Sequence, residues 1–165
     1  MRRLSLVSVA TVTALSLATA VHAQQPPPPP DYGMPITQAQ AMKVAAAAQA
    51  KAKEIGQHVV ITIVGPSGDL IYFTKMDGAQ YGSIDISQKK ARAAAKFRRP
   101  TKVFEDLLAK GGGFLSFLTL PDVIASAGGL PIMESGKIIG AVGVSGSPNG
   151  TIDTEASQAG IDALK

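Results

Sequence analysis

The stretch VVITIVGPSGDLIYFTKM, residues 59–76 of this 165-residue chain, indicates the class of its fold. Its first six residues are all β-branched, which predicts a buried strand. Gly65-Pro66-Ser67-Gly68-Asp69 has the composition of a turn, and residues 70–76 supply a second strand. The stretch therefore predicts an antiparallel hairpin.

A second hairpin is predicted further along the chain. Residues 130–134 and 138–145 are apolar runs that flank Ser135-Gly136-Lys137, again a turn composition. Two hairpins without a crossover between their strands imply an antiparallel sheet. The sheet must cover its apolar faces with whatever helices the rest of the chain provides.

Helical patterns surround the two hairpins. The first begins at a capping box, Thr37 with Gln40, and ends at Gly56. The second covers residues 84–97, Thr101 is predicted to cap a third, and the last begins near Asp153. Residues 114–127 are apolar and irregular. The order α-β-β-α-α-β-β-α predicts an α+β domain, an antiparallel sheet with helices packed on it.

The N-terminal residues 1–23 have the composition of a signal peptide. A basic start precedes an uncharged run that ends in Val21-His22-Ala23, which predicts cleavage after Ala23 and a periplasmic or secreted protein. An uncleaved anchor is the alternative, but Ser and Thr dilute the run. Residues 24–35 contain six prolines and are typical of a semi-rigid spacer, and residues 36–165 form one domain. No further apolar run reaches spanning length, so no stable membrane insertion is expected after processing.

Composition excludes several kinds of site. The chain has no cysteine, so thiolate catalysis and cysteine-based metal sites are excluded. Removing residues 1–23 lowers the formal net charge from +4 to +2, which gives no support for nucleic-acid binding. Basic residues do share one face of the second predicted helix: Lys89, Arg92, Lys96 and Arg99. That face is either a solvated surface or a site for carboxylates and phosphates.

His58 is the single histidine that remains after the predicted cleavage. One histidine cannot form a multi-ligand metal site or a catalytic triad, although it can be an axial ligand to a haem iron. An ordinary residue at a strand edge is the alternative. The small residues between Gly140 and Gly146 match no dinucleotide motif, and they favour close approach by the first helix or by a flat ligand.

Five segments, in order and spacing, resemble the GlcG/HbpS family, also described as the haem-degrading domain family. They are KMDGA (75–79), SQKKARAA (87–94), RPT (99–101), GGLPI (128–132) and IGAVGVSG (139–146). The resemblance covers residues 36–164. It implies a profilin-like fold, homo-oligomers, and binding of haem or a related tetrapyrrole, sometimes with haem degradation.

Two positions depart from the family pattern. Gly65 stands where the first strand of the family usually ends in aspartate, and Gly68-Asp69 stands where the turn often carries Gly-His. The missing histidine leaves His58, Tyr81, Thr101 or a methionine as candidates to bind the iron.

The resemblance also implies a set of ligand-binding residues: Lys90, Arg92, Thr101, Gly128, Gly129 and Pro131. The main hypothesis is an exported haem- or tetrapyrrole-binding protein that assists haem degradation or sensing. A flat apolar ligand would lie near the Gly-Gly-x-Pro hairpin, with its propionates at Lys90 and Arg92. Two rivals stay open, an enzyme or sensor for a small carboxylated metabolite and a non-catalytic oligomeric structural protein.

Overall fold

The computed structural model describes residues 27–165, so the predicted signal peptide and its cleavage site lie outside the described residues. The helices and strands follow the predicted order. They are α1 (Gln38–Glu54), β1 (Val60–Val64), β2 (Leu70–Lys75), α2 (Gly82–Lys96), α3 (Lys102–Ala109), a 3-10 helix (Gly112–Thr119), β3 (Gly129–Glu134), β4 (Lys137–Ser145) and α4 (Gly150–Asp162).

The two hairpins join into one antiparallel sheet with the strand order β2-β1-β4-β3. Helices α1 and α4 cover one face, where Ile61 and Val142 meet Val44 of α1. Helix α2 covers the other face, where Val64 meets Ala91. Both faces of β1 are therefore buried, which is why its sequence is a continuous β-branched run. The predicted α+β fold is confirmed.

Helix α1 begins as predicted. The Thr37 hydroxyl accepts a hydrogen bond from the Gln40 N–H, and the Thr37 N–H donates to the side-chain oxygen of Gln40, which completes the capping box. The buried face of the helix is mostly alanine, so its axis lies close to α4 and the sheet. Gly56, with φ of +69°, follows the C-terminus of the helix.

Gly143, one of the small residues of β4, accommodates α2. A Cβ placed on Gly143 would lie 2.2 Å from the carbonyl oxygen of Ser87 and 2.5 Å from the amide nitrogen of Ala91. The backbone of α2 therefore contacts the backbone of β4 directly. A hydrogen bond of 2.8 Å between the hydroxyls of Thr62 and Ser87 fixes the same helix to β1. Of the two predicted alternatives, the first helix or a flat ligand, the first helix is wrong at Gly143, because α2 occupies that space.

Residues just before α1 attach to the part of β4 that β1 does not reach. The Ile138 N–H donates to the carbonyl oxygen of Asp31 and the Gly33 N–H donates to that of Ile138, both at 2.8 Å. The Tyr32 hydroxyl donates to two carbonyl oxygens in the last turn of α2, each 3.1 Å away. The end of the predicted proline spacer is thus bound to the domain.

The apolar segment after α3 forms the 3-10 helix, for which no regular structure was predicted. Phe117 packs edge-on against the buried ring of Phe104, with 5.7 Å between ring centroids. Several large apolar side chains of the segment remain exposed: Phe114, Leu115, Leu118 and Leu120. Between residues 27 and 165, no helix combines the length and the apolar character needed to cross a membrane.

Candidate ligand site at the start of β3

A cavity of about 200 Å³ opens where β3 begins, between the N-terminal ends of α3 and α4. We call it the Gly128 cavity. Its lining residues are Pro100, Lys102, Ala127, Gly128, Gly129, Leu130, Thr151 and Thr154. Most of this lining is apolar, and the polar groups come from Lys102 and the two threonines. The sequence predicted Gly128 and Gly129 as ligand residues, and both lie in its wall.

Gly129 and Thr101 hold the floor of the cavity together. The Gly129 N–H donates to the Thr101 hydroxyl oxygen at 2.9 Å, and the Thr101 N–H donates to the Gly129 carbonyl oxygen at 3.0 Å. A Cβ on Gly129 would lie 2.5 Å from the carbonyl oxygen of Lys90, so only glycine fits. Thr101 stands at the N-cap position of α3 as predicted, but its buried side chain makes no capping hydrogen bond.

Lys90 lies beneath the same cavity, in the protein interior. Its ammonium donates to the Asp153 carboxylate at 2.8 Å and to the Val144 carbonyl oxygen at 3.0 Å. The other carboxylate oxygen of Asp153 accepts from the Ser147 N–H. Gly128, with φ of +114°, passes directly over this pair. The pair therefore links α2, on one face of the sheet, with α4, on the other.

The remaining predicted ligand residues lie elsewhere. Arg92 points from α2 towards Gly68 in the β1–β2 turn, at the opposite end of the sheet from Gly128. Its guanidinium is 3.5 Å from the side-chain oxygen of Gln88. Pro131 pairs with Ala141 further along β3 and does not line the cavity. The structure thus brings Lys90, Thr101, Gly128 and Gly129 together and separates Arg92 and Pro131 from them.

The predicted basic face of α2 is shorter than the sequence indicates. The helix ends at Lys96, and Arg98 takes the left-handed conformation with φ of +56°. Arg99 therefore lies outside the helix, and its side chain donates to the carbonyl oxygen of Phe97. Lys96 pairs with Asp122 at 2.7 Å. The expectation that Arg99 shares the helical face is wrong.

Two of the residues predicted as candidates to bind the iron, His58 and Tyr81, lie at the same end of the sheet as Gly128 but outside its cavity. His58 precedes β1, is exposed, and lines a separate cavity. Tyr81 precedes α2, is 83% exposed, and has the Lys75 ammonium 5.3 Å from its ring centre. Within the described residues, no three histidine, cysteine, aspartate or glutamate side chains come together as a metal site.

Lys102 is the cation that lines the Gly128 cavity, and the sequence did not single it out. Its side chain is 49% exposed and forms ion pairs with Glu105 and Asp106. The hydrogen bond to Asp106 raises the pKa of the Lys102 ammonium above its ordinary value, so it is charged at neutral pH. Thr151 lies opposite, in the first turn of α4, where the helix dipole also favours an anion.

Sequence and structure comparisons identify the class of protein. The HbpS-like family, described as haem degrading protein HbpS-like, matches residues 36–162. Protein GlcG of Escherichia coli K12 is 40% identical over 87 residues, which cover 53% of this chain and 63% of GlcG. This chain belongs to the HbpS-like family, and the predicted resemblance is confirmed.

Two solved structures show the same fold. A double mutant of Streptomyces reticuli HbpS is 27% identical with a TM-score of 0.74, and the match covers 94% of this chain and 99% of that one. A complex of PduOC with haem is 26% identical with a TM-score of 0.71, over 79% of this chain and 95% of that one. The family to which this chain belongs is thus a haem-related one.

Proposed function

We propose that this protein binds haem or a related tetrapyrrole at the Gly128 cavity. The observation that carries the proposal is an apolar cavity with a charged lysine on its rim, lined in part by Gly128, Gly129 and Leu130 of the segment that resembles the family. An apolar pocket with a few placed polar groups is the usual form of a small-molecule site. Membership of the HbpS-like family favours a tetrapyrrole over other flat apolar ligands.

The size of the cavity decides how such a ligand would lie. At about 200 Å³ the cavity is smaller than the roughly 300–1,000 Å³ of sites that enclose a ligand. It therefore fits one edge of a macrocycle, with the rest of the ring outside. Leu130 and Pro100 offer apolar contacts to that edge. Lys102 and the Thr151 hydroxyl offer charge-assisted and neutral hydrogen bonds to a propionate.

The cavity can hold the edge of the tetrapyrrole ring, but none of its lining side chains is placed to coordinate the iron. Thr101 is fully buried, and its hydroxyl oxygen already accepts from Gly129. His58 and Tyr81 lie outside the cavity lining. A bound haem would supply its own redox chemistry, and the residues of this chain would bind and orient it. Affinity should then come from the ring and its carboxylates, not from the metal.

Absorbance titration with hemin and with metal-free protoporphyrin tests this proposal. We expect saturable changes in the Soret band with both, near one ligand per chain, with affinities within about threefold of each other. No saturable change with either ligand would overturn the proposed binding. A large preference for hemin would contradict the edge-on site and point to an iron ligand. Adding ascorbate or peroxide to the hemin complex then measures degradation as loss of the Soret band.

We also propose that the protein is exported, as a periplasmic or secreted protein. The support is the basic start and uncharged run of residues 1–23 with small residues before the cleavage position. N-terminal sequencing of protein from the periplasm or medium should begin at Gln24. Protein that stays in the cytoplasm with Met1 intact would contradict export.

A homo-oligomer remains a prediction from the family resemblance. Four exposed apolar residues of the 3-10 helix region support it, because exposed apolar side chains are often buried at interfaces. Light scattering after size-exclusion chromatography measures the mass in solution. A mass above that of one chain is expected, and a monomer at micromolar concentration would contradict it.

A further inference from the structure

A second cavity, of about 300 Å³, lies where α1 ends, β1 begins and β2 ends. We call it the His58 cavity. Its lining residues are Gln49, Lys53, Gly56, Gln57, His58, Met76 and Asp77. None of them lines the Gly128 cavity, so the two sites can be tested separately. It is the larger of the two, and its lining is the more polar.

Four of the polar side chains that line this cavity have no partner in the described part of the chain, whereas Gln57 donates to the Ile55 carbonyl oxygen. Among residues 27–165, the side chains of Gln49, Lys53, His58 and Asp77 take part in none of the hydrogen bonds or ion pairs. Lys51, two residues from Lys53 on the same helix, pairs with Glu54 at 2.7 Å. The cavity thus collects side-chain donors and acceptors that no other described residue occupies.

One glycine and one methionine lie around the imidazole. Gly78, with φ of +81°, lies against the ring, since a Cβ placed there would be 3.4 Å from Nδ1. Met76 is buried and supplies an apolar floor. The exposed imidazole therefore lies beside the Gly78 backbone and also lines the cavity.

The charges in the cavity define the ligand. Lys53 supplies a cation and His58 a ring nitrogen, which together suit a carboxylate. Asp77 supplies an anion that accepts from a hydroxyl or an ammonium. We propose that the His58 cavity binds a small carboxylate that also carries a hydrogen-bond donor, that is, a hydroxy acid or an amino acid. The volume, at the lower limit of ligand pockets, suits a molecule of this size.

Amide NMR titration with four probes tests this assignment. L-lactate and L-alanine carry both groups, whereas acetate lacks the donor and ethanolamine lacks the carboxylate. We expect saturable shifts at Gly56 and Gly78 with at least one of the first two. Acetate and ethanolamine should bind about tenfold more weakly or worse, because each loses one charge-assisted hydrogen bond.

Variants inside the cavity test the proposal, and a variant on the same helix outside the cavity is the control. Lys53→Met and Asp77→Asn should each weaken the best probe by about tenfold. Lys43→Met removes an exposed lysine from the same helix outside the cavity and should leave binding unchanged. No saturable shift with lactate or alanine would overturn the proposal, as would acetate binding equally well. Equal losses in Lys43→Met and Lys53→Met would also overturn it, because a general charge effect would then explain the binding.

Discussion

Two lysines lie on either side of the Gly128 cavity and share little except their charge. Lys90 is 1% exposed, and its ammonium donates to Asp153 and to a backbone carbonyl oxygen of β4. Lys102 is half exposed at the rim, and its partners are Glu105 and Asp106 on its own helix. The sequence favoured Lys90 as the cation for a ligand, and the structure adds Lys102.

The two lysines differ in the free-energy cost of burying the charge and in whether the ammonium can exchange one carboxylate partner for another. A buried ammonium is tolerated only with a well-placed partner, because leaving water costs several kcal/mol per ion. An exposed ion pair is weak, so its cation can leave one carboxylate for another. Lys90 therefore fixes α2 to α4, and Lys102 can meet a ligand. Charge alone does not distinguish these roles, but burial does.

Removing the buried cation should have the largest effect. Lys90→Met leaves the Asp153 carboxylate buried without its cation, so the free energy of unfolding should fall by about 3–5 kcal/mol in urea denaturation. Lys90→Met combined with Asp153→Leu removes both charges and should recover much of that loss. If the protein with Lys90→Met alone were as stable as the parent protein, that result would contradict the interior role of Lys90.

Closing the space above the ion pair should have the next largest effect. A Cβ on Gly128 would lie 2.7 Å from that of Asp153 and 2.8 Å from the Val144 carbonyl oxygen, at a φ of +114°. Gly128→Ala should therefore lower the free energy of unfolding by about 3 kcal/mol, from overpacking and backbone strain. Gly136→Ala is the matched control, with positive φ but nothing within 4 Å, and should lose about 1 kcal/mol. Equal losses at both positions would show that the close contact is unimportant.

Variants of Thr101 test a single buried hydrogen bond beside the cavity. Thr101→Val keeps the shape but leaves the buried Gly129 N–H without its acceptor, which should lower the free energy of unfolding by about 1–3 kcal/mol. Thr101→Ser keeps the hydroxyl and should lose less. The same denaturation experiment compares them, and a serine variant as unstable as the valine variant would argue against the hydrogen bond.

At the rim, the expected change is in binding and not in stability. Lys102→Met should leave the denaturation midpoint unchanged, because its ion pairs are exposed. Its affinity for protoporphyrin should fall by about tenfold through loss of one charge-assisted hydrogen bond. Lys89→Met, an exposed lysine outside the cavity, is the control and should bind like the parent. Equal affinities of the Lys102 and Lys89 variants would exclude Lys102 from the site.

Much of the fold could be predicted because its signals are local. The β-branched run of β1, the turn glycines of both hairpins and the Thr37 capping box each act within a few residues. From these signals the order of elements and the antiparallel sheet follow. The predicted approach of the first helix was wrong at Gly143, because the contact of that glycine with α2 joins residues more than fifty positions apart.

The site was less predictable for the same physical reason. Lys90 and Asp153 are 63 residues apart, and no local pattern shows that they pair. The cavity wall also takes Thr151 from a distant helix. Thr101 has the residue type of a cap, but the edge of β3 supplies Gly129 as a better-placed partner. Sequence motifs located the Gly128–Gly129 segment, but the packing of the helices against β3 was needed to show that Lys102 lies beside it.

Amide NMR mapping with metal-free protoporphyrin is the most direct test of the central claim, that the tetrapyrrole edge enters the Gly128 cavity. We expect the largest shifts at Gly128, Gly129 and Leu130 and in the first turn of α4, with weaker binding in Lys102→Met. Shifts confined to Gly56 and Gly78, at the His58 cavity, would contradict it.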